Sequence, residues 1–131
     1  MKTNKTFCPK NQQDWRKWLE DNHQKEDAIW LVYFKKNSPK YNLNWSQAVD
    51  QALCFGWIDS LANAIDDDKY KQYFSKRKPK SIWSKVNKDK VKLLIEKSLM
   101  TEAGLKAIDI GKANGSWTFL DQVDALIVPE D

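Results

Sequence analysis

Ala28 to Phe34 (AIWLVYF) is an unbroken apolar run that puts β-branched and aromatic side chains on both faces of any strand it forms. A strand with no polar face has to be covered on both sides, so the rest of the chain must fold around it. The run continues into Lys35-Lys36, ends at Asn37-Ser38-Pro39, and is far shorter than the ~20 residues that span a bilayer. At 131 residues the chain is one domain, 1–131, long enough to bury roughly two thirds of its unfolded surface. Seven Trp, four Tyr and five Phe, spread along its whole length, supply large core side chains and favour order over disorder.

The start, MKTNKTFCPK, is charged and has no apolar segment of signal-peptide type. Two distant cysteines, Cys8 and Cys54, and a single histidine, His23, leave no basis for a disulfide framework or a zinc site. A soluble cytoplasmic protein is expected, without metal or cofactor.

The remaining elements follow from periodicity and capping. Pro9–Asn22 reads as a helix with an apolar stripe at Trp15, Trp18 and Leu19. Trp45–Phe55 reads as a second, capped by Asn44 or Ser46, with Trp45, Ala48, Val49, Ala52 and Leu53 inward and Gly56 at its left-handed exit. Two strands near 57–65 and 69–77 form a hairpin across Asp66-Asp67-Asp68, which lacks the usual Asn-Gly or Asp-Gly. A third helix starts at Ser84, or at Asn87 with Val86 stapled onto Val91, and buries Val91, Leu94 and Ile95. Thr101 caps a fourth that carries Ala103, Ala107 and Ile108 and ends near Asn114-Gly115. The stretch 117–128 is apolar, aperiodic and read as extended. The order α-β-α-β-β-α-α is that of an α+β domain, with a small, mainly antiparallel sheet of about three strands and about four helices on it.

Charge concentrates in one place. From Lys69 to Lys92 ten basic residues face one acid, Asp89, in a chain of net charge +4, and KRKPK matches a nuclear-localisation pattern. Interleaved with Tyr70, Tyr73, Phe74 and Trp83, these cations fit phosphates with stacked bases, a small anion, or simply a solvated, lysine-edged hairpin. Within the segment Ser81, Trp83, Ser84 and Asn87 gather at the mouth of the third helix beside Arg77 and Lys80. That is either an anion site or ordinary capping over a core tryptophan. Asp59 lies in the apolar stretch Gly56-Trp57-Ile58-Asp59-Ser60, where a carboxylate is paired or functional. A salt bridge to Arg77 across the hairpin would satisfy it. The three carboxylates of 66–68 are too few to cage a divalent cation, His23 has no nucleophile partner, and Cys54 reads as core.

The order of these pieces resembles the bacterial YdeI/OmpD-associated family, also labelled bacteriocin-protection proteins. The elements that carry the resemblance are Trp15-Arg16-Lys17-Trp18-Leu19, Ile29-Trp30-Leu31-Val32, Ala52-Leu53-Cys54-Phe55-Gly56-Trp57-Ile58-Asp59, and Lys78-Pro79-Lys80-Ser81-Ile82-Trp83-Ser84 with Asn87, together with Met100-Thr101-Glu102-Ala103-Gly104 and Val128-Pro129-Glu130-Asp131. The resemblance implies a cytoplasmic α+β protein linked to stress or bacteriocin tolerance and brings no catalytic set. Two departures stand out. Ser60 replaces a Gly common in relatives, and longer relatives continue past the Val-Pro-Glu-Asp element; if that region completes a site or interface, the resemblance implies that this protein does part of the family's task or does it as a homo-oligomer.

The expectation is therefore a non-enzymatic binding domain for a small anionic or phosphorylated ligand. Arg77 and Lys80 would provide charge, Ser81, Ser84 and Asn87 hydrogen bonds, Trp83 an apolar wall, and Asp59 the orientation of Arg77. The alternatives are a nucleic-acid module using the lysine face 69–92, and an enzyme with Asp59 as general base.

Overall fold

The computed structural model describes residues 3–121. Its elements run β1 (Thr6–Phe7), α1 (Gln12–Asn22), β2 (Ala28–Phe34), α2 (Trp45–Cys54), β3 (Trp57–Ala64), β4 (Lys69–Lys76), α3 (Lys85–Glu96) and α4 (Glu102–Asn114). The fold is α+β as expected, with four substantial helices on one small sheet. The sheet has four strands rather than three, ordered β1-β2-β4-β3, and β1 is parallel to β2 while the other pairs are antiparallel. Two residues are too few to show periodicity, which hid β1 from the sequence.

Antiparallel pairing sorts the strand residues into two faces. On one, Ile29, Leu31 and Tyr33 of β2, Phe74 of β4 and Trp57 of β3 join Trp15 and Leu19 of α1 and the inner stripe of α2 in the main core. Rings carry much of it. Trp18 lies 6.0 Å from Phe7, 5.5 Å from Trp15 and 5.7 Å from Trp57, and Trp15 meets Phe74 edge-on at 5.3 Å. The opposite face has a cluster of its own, Ala28, Trp30 and Tyr73. It is shielded by small means: Trp30 donates Nε1 to the Thr3 carbonyl at 3.1 Å, and Lys71 lays its ammonium 4.5 Å from the Trp30 ring centre. The apolar run is thus buried on both sides, by helices on one and by the N-terminal segment and a lysine on the other.

Element ends follow from their caps. Helix α1 starts later than expected because Asn11, extended at φ −167°, accepts from the Asp14 N–H, which leaves Pro9 ahead of the helix. Asn44 and Gln47 form a reciprocal capping box at α2, and Gly56 leaves that helix at φ +75°. Asp66 builds the hairpin turn in place of an Asn-Gly. Its Oδ1 accepts from the Asp68 and Lys69 amides and its Oδ2 from Lys69 Nζ at 2.7 Å. Those bonds use the acid that a turn-bound cation would have needed. Helix α3 takes the Ser84 start, and Val86 is exposed rather than stapled. Val91 and Leu94 are buried as expected, but Ile95 is exposed. Residues 119–121 begin a helical turn where an extended segment was expected, and the rest of 117–128 lies outside the described residues.

Helix α4 docks through its first turn. The Cys54 carbonyl at the end of α2 accepts both the Thr101 N–H at 3.0 Å and the Thr101 hydroxyl at 2.6 Å. Gly104 then lies so close that a Cβ there would stand 2.5 Å from the same oxygen.

Candidate functional site

The helix-free face of the sheet floors an open cleft of about 1200 Å³. Ile58 and Ser60 of β3 and Tyr73 and Ser75 of β4 form that floor, because pairing Ile58 with Ser75 turns all four away from the helices. One wall is the segment entering β2, from Lys25 to Asp27. The other is the loop from Lys76 to Ile82, closed by Asn87 from the first turn of α3. Asp59, Arg77, Lys80, Ser81 and Asn87 all line this cleft. Five of the seven residues singled out from the sequence are thereby brought together. Trp83 and Ser84 are not part of the lining. Trp83 is only 2% exposed, and Ser84 Oγ caps α3 by accepting from the Asn87 N–H at 3.1 Å.

Trp83 instead serves as the plate under Arg77. The guanidinium carbon lies 3.6 Å from the centre of the Trp83 ring, a stacked cation–π geometry. Behind it the indole packs against Trp117 and against Gly111, where a Cβ would approach Nε1 to 2.6 Å. Arg77 is anchored by its N–H to the Gly56 carbonyl at 2.9 Å and by Nη2 to the Ile82 carbonyl at 3.0 Å. Its Nε and Nη1 are buried and have no hydrogen-bond partner among the described residues. No carboxylate among the described residues comes within ion-pair distance of it. Burial draws its pKa down to about 10, opposed by the charge of Asp59.

The expected Asp59–Arg77 salt bridge does not form. Asp59 is satisfied from the helix side: its Oδ2 accepts from Trp45 Nε1 at 2.9 Å and from Gln72 Nε2 at 3.0 Å. Gln72 is oriented in turn by the Tyr33 hydroxyl, which donates to Oε1 at 2.8 Å. Burial, followed by the charges of Tyr70 and Asp59, pushes the Tyr33 pKa far up, so this hydroxyl keeps its proton and remains a donor. Trp45, Gln72 and Tyr33 were missed at the sequence level. Trp45 was read as core but is exposed, with its indole N–H turned to Asp59. A signal for Gln72 was available: Tyr70, Gln72 and Phe74 share one face of a two-residue repeat, and a Gln in a buried row needs a partner.

The basic segment is less free than its composition implies. Lys69, Lys76, Lys85, Lys88 and Lys90 pair with Asp66, Asp27, Asp89, Asp121 and Asp50. Lys71 covers Trp30, and the two aromatics of the open face, Trp30 and Tyr73, are 4% and 8% exposed. Lys78 and Lys80, both on the cleft wall, have no acidic partner among the described residues, and neither does Lys25 opposite. A second cleft of about 930 Å³ lies behind the Lys76–Pro79 strip, between Phe55-Gly56-Trp57 and α4, and Arg77 borders both. Among the described residues no three His, Cys, Asp or Glu side chains gather as a metal site, and no helix is long and apolar enough to cross a membrane.

A family model described as a domain of unknown function (DUF8412) matches residues 7–107. No curated protein and no solved structure matches the chain. The matched span runs from the end of β1 into α4 and contains both walls of the larger cleft from Lys25 onward, so this chain belongs to the DUF8412 family.

Proposed function

We propose that this domain is a non-enzymatic receptor for a small anionic or phosphorylated ligand, held in the larger cleft with Arg77 as its main charge partner. One observation carries the proposal. A half-buried guanidinium keeps two nitrogens, Nε and Nη1, without acceptors among the described residues, beside an open cleft whose wall adds Lys78 and Lys80. A buried donor left unpaired costs about 1–3 kcal/mol, more when charged, so a cation in this state is accounted for by an acceptor that arrives with a ligand. Asn87 and Ser81 add hydrogen-bonding side chains on the same wall. Cys8 and Cys54 are both unpaired, which agrees with action in a reducing cytoplasm. The resemblance to YdeI/OmpD-associated proteins extends the proposal to a part in stress or bacteriocin tolerance.

Thermal denaturation with inorganic phosphate tests the reading, with sodium chloride at matched ionic strength as the reference. Phosphate at about ten times its Kd adds about 1.4 kcal/mol, which for a domain of this size is a rise of about 5 °C in Tm. Arg77→Gln should fold and lose that rise. An equal shift in Arg77→Gln, or none in the native protein at any phosphate concentration up to saturation of the buffer, refutes Arg77 as the anion's partner.

A further inference from the structure

Strand β3 is one edge of the sheet, and its outer side is bare. At the two ends of the β3–β4 ladder, Ile65 donates its N–H to the Lys69 carbonyl and Arg77 donates its N–H to the Gly56 carbonyl. Counting inward from Ile65, the alternation of an antiparallel ladder turns the backbone of Asn63 toward β4. It turns the N–H and C=O of Ala62 and Ala64 away from β4. Those four groups pair with no other element among the described residues, and Ser60 to Ile65 are all exposed. Edge strands are ordinarily blunted by charge, proline or brevity. The opposite edge follows that rule, since β1 has two residues. β3 has eight, and from Ser60 to Ile65 (SLANAI) it carries neither charge nor proline in a chain that is 31% charged. Its one protective device is the bulge between Asp59 and Ala62, which leaves the ladder beyond Ala62 regular.

We propose that this edge binds a second copy of the chain, β3 against β3, antiparallel about a twofold axis at Asn63. Ala62 then meets Ala64 of the partner subunit, and Ala64 meets Ala62 of the partner subunit. Each pair exchanges two hydrogen bonds, four in all. In the same register Leu61, 54% exposed, stands opposite the partner's Ile65, a position 43% exposed in the single chain. Self-complementarity selects a second copy over an unrelated strand. The one register that satisfies the outward backbone groups also matches Leu61 with Ile65 twice, and it sets no like charges opposite each other from 60 to 65. The product is a single sheet of eight strands shared by two protomers.

Sedimentation equilibrium from about 10 µM to about 1 mM tests this. The native chain should pass from monomer to dimer and stop there, because a twofold pairing closes on itself. Leu61→Lys removes both apolar pairs from an exposed position, and Ala64→Pro removes two of the four new hydrogen bonds without touching the ladder to β4. Each should weaken the dimer at least about tenfold with the far-UV circular dichroism unchanged, and Leu61→Lys serves if Ala64→Pro does not fold. In a Cys8→Ser background, Asn63→Cys should form an intermolecular disulfide on mild oxidation, since residue 63 faces itself across the axis, whereas Leu61→Cys should form none. A monomer at every concentration, association beyond the dimer, a dimer that both substitutions leave intact, or equal cross-linking from positions 61 and 63 overturns the proposal.

Discussion

Gly104→Ala should destabilise the protein even though alanine is the better helix former. The ideal Cβ at this position lies 2.5 Å from the Cys54 carbonyl oxygen and 2.8 Å from its carbon, so α4 must retreat from α2 by most of an ångström. Overpacking of this kind costs about 1–3 kcal/mol. The retreat also stretches the two hydrogen bonds from Thr101 that end on the same carbonyl, each worth about 1 kcal/mol. The gain in helix propensity offsets about 1 kcal/mol. The net loss is about 2 kcal/mol, and with about 2.1 cal/mol/K of unfolding entropy per residue it lowers Tm by about 7 °C. Thermal and urea unfolding followed by tryptophan fluorescence would measure it, with Lys106→Ala on the exposed side of the same helix as the control. The third near atom, Met100 Cε at 2.6 Å, is a flexible side-chain end, so Met100→Ala should not rescue the variant. A Tm equal to or above that of the native protein would show that α4 does not seat on the Cys54 carbonyl as described.

Ser84→Ala should cost about 1 kcal/mol through loss of the α3 cap, or about 4 °C in Tm, whereas Val86→Ala at an exposed position should change Tm by no more than about 1 °C. Alkaline unfolding should isolate Tyr33. Its folded pKa is raised above the unfolded value near 10, so its contribution is fully present below about pH 10 and is lost as pH climbs beyond, at up to about 1.4 kcal/mol per unit. Tyr33→Phe starts less stable, because it leaves Gln72 Oε1 without its donor, and the gap to the native protein should narrow above pH 10. A constant gap across that range contradicts the buried, protonated hydroxyl. A random-sequence oligonucleotide should bind weakly and with a shallow salt dependence, since five lysines of the basic segment already have carboxylate partners. A log–log slope steeper than about −3, the release expected from several phosphates, would restore the nucleic-acid reading.

Local chemistry was legible wherever a short stretch of chain decides its own fate. Asn44, Ser84 and Thr101 cap helices with side chains that reach three residues ahead, and Gly56 and Gly115 take positive φ at helix ends, so these boundaries stand in the sequence itself. The seven apolar residues of β2 required burial on both faces, and all are buried except Phe34 at the strand end, which is half-buried. The gathering of Asp59, Arg77, Lys80, Ser81 and Asn87 was also readable, since a hairpin followed by a short loop leaves them few other places.

Contacts across the chain were decided by tertiary structure. Which acid meets which base depends on distances between elements, and a one-dimensional reading pairs Asp59 with Arg77 because they are opposite in charge and close in sequence. In the folded protein the alternation of β3 turns Asp59 toward the helices, where Trp45 and Gln72 reach it first. Arg77, one residue past β4, falls onto Trp83 and has no carboxylate partner among the described residues. Helical periodicity likewise placed Trp45 and Ile95 inward, but both are exposed to the extent of nearly half among the described residues. The α+β class, the caps and the neighbourhood of the cleft can be read in one dimension, because local hydrogen bonding and hydrophobic period act within a few residues. That Asp59 and Arg77 remain apart is set by the fold, because Asp59 finds its partners on α2 and β4 and Arg77 stacks on Trp83.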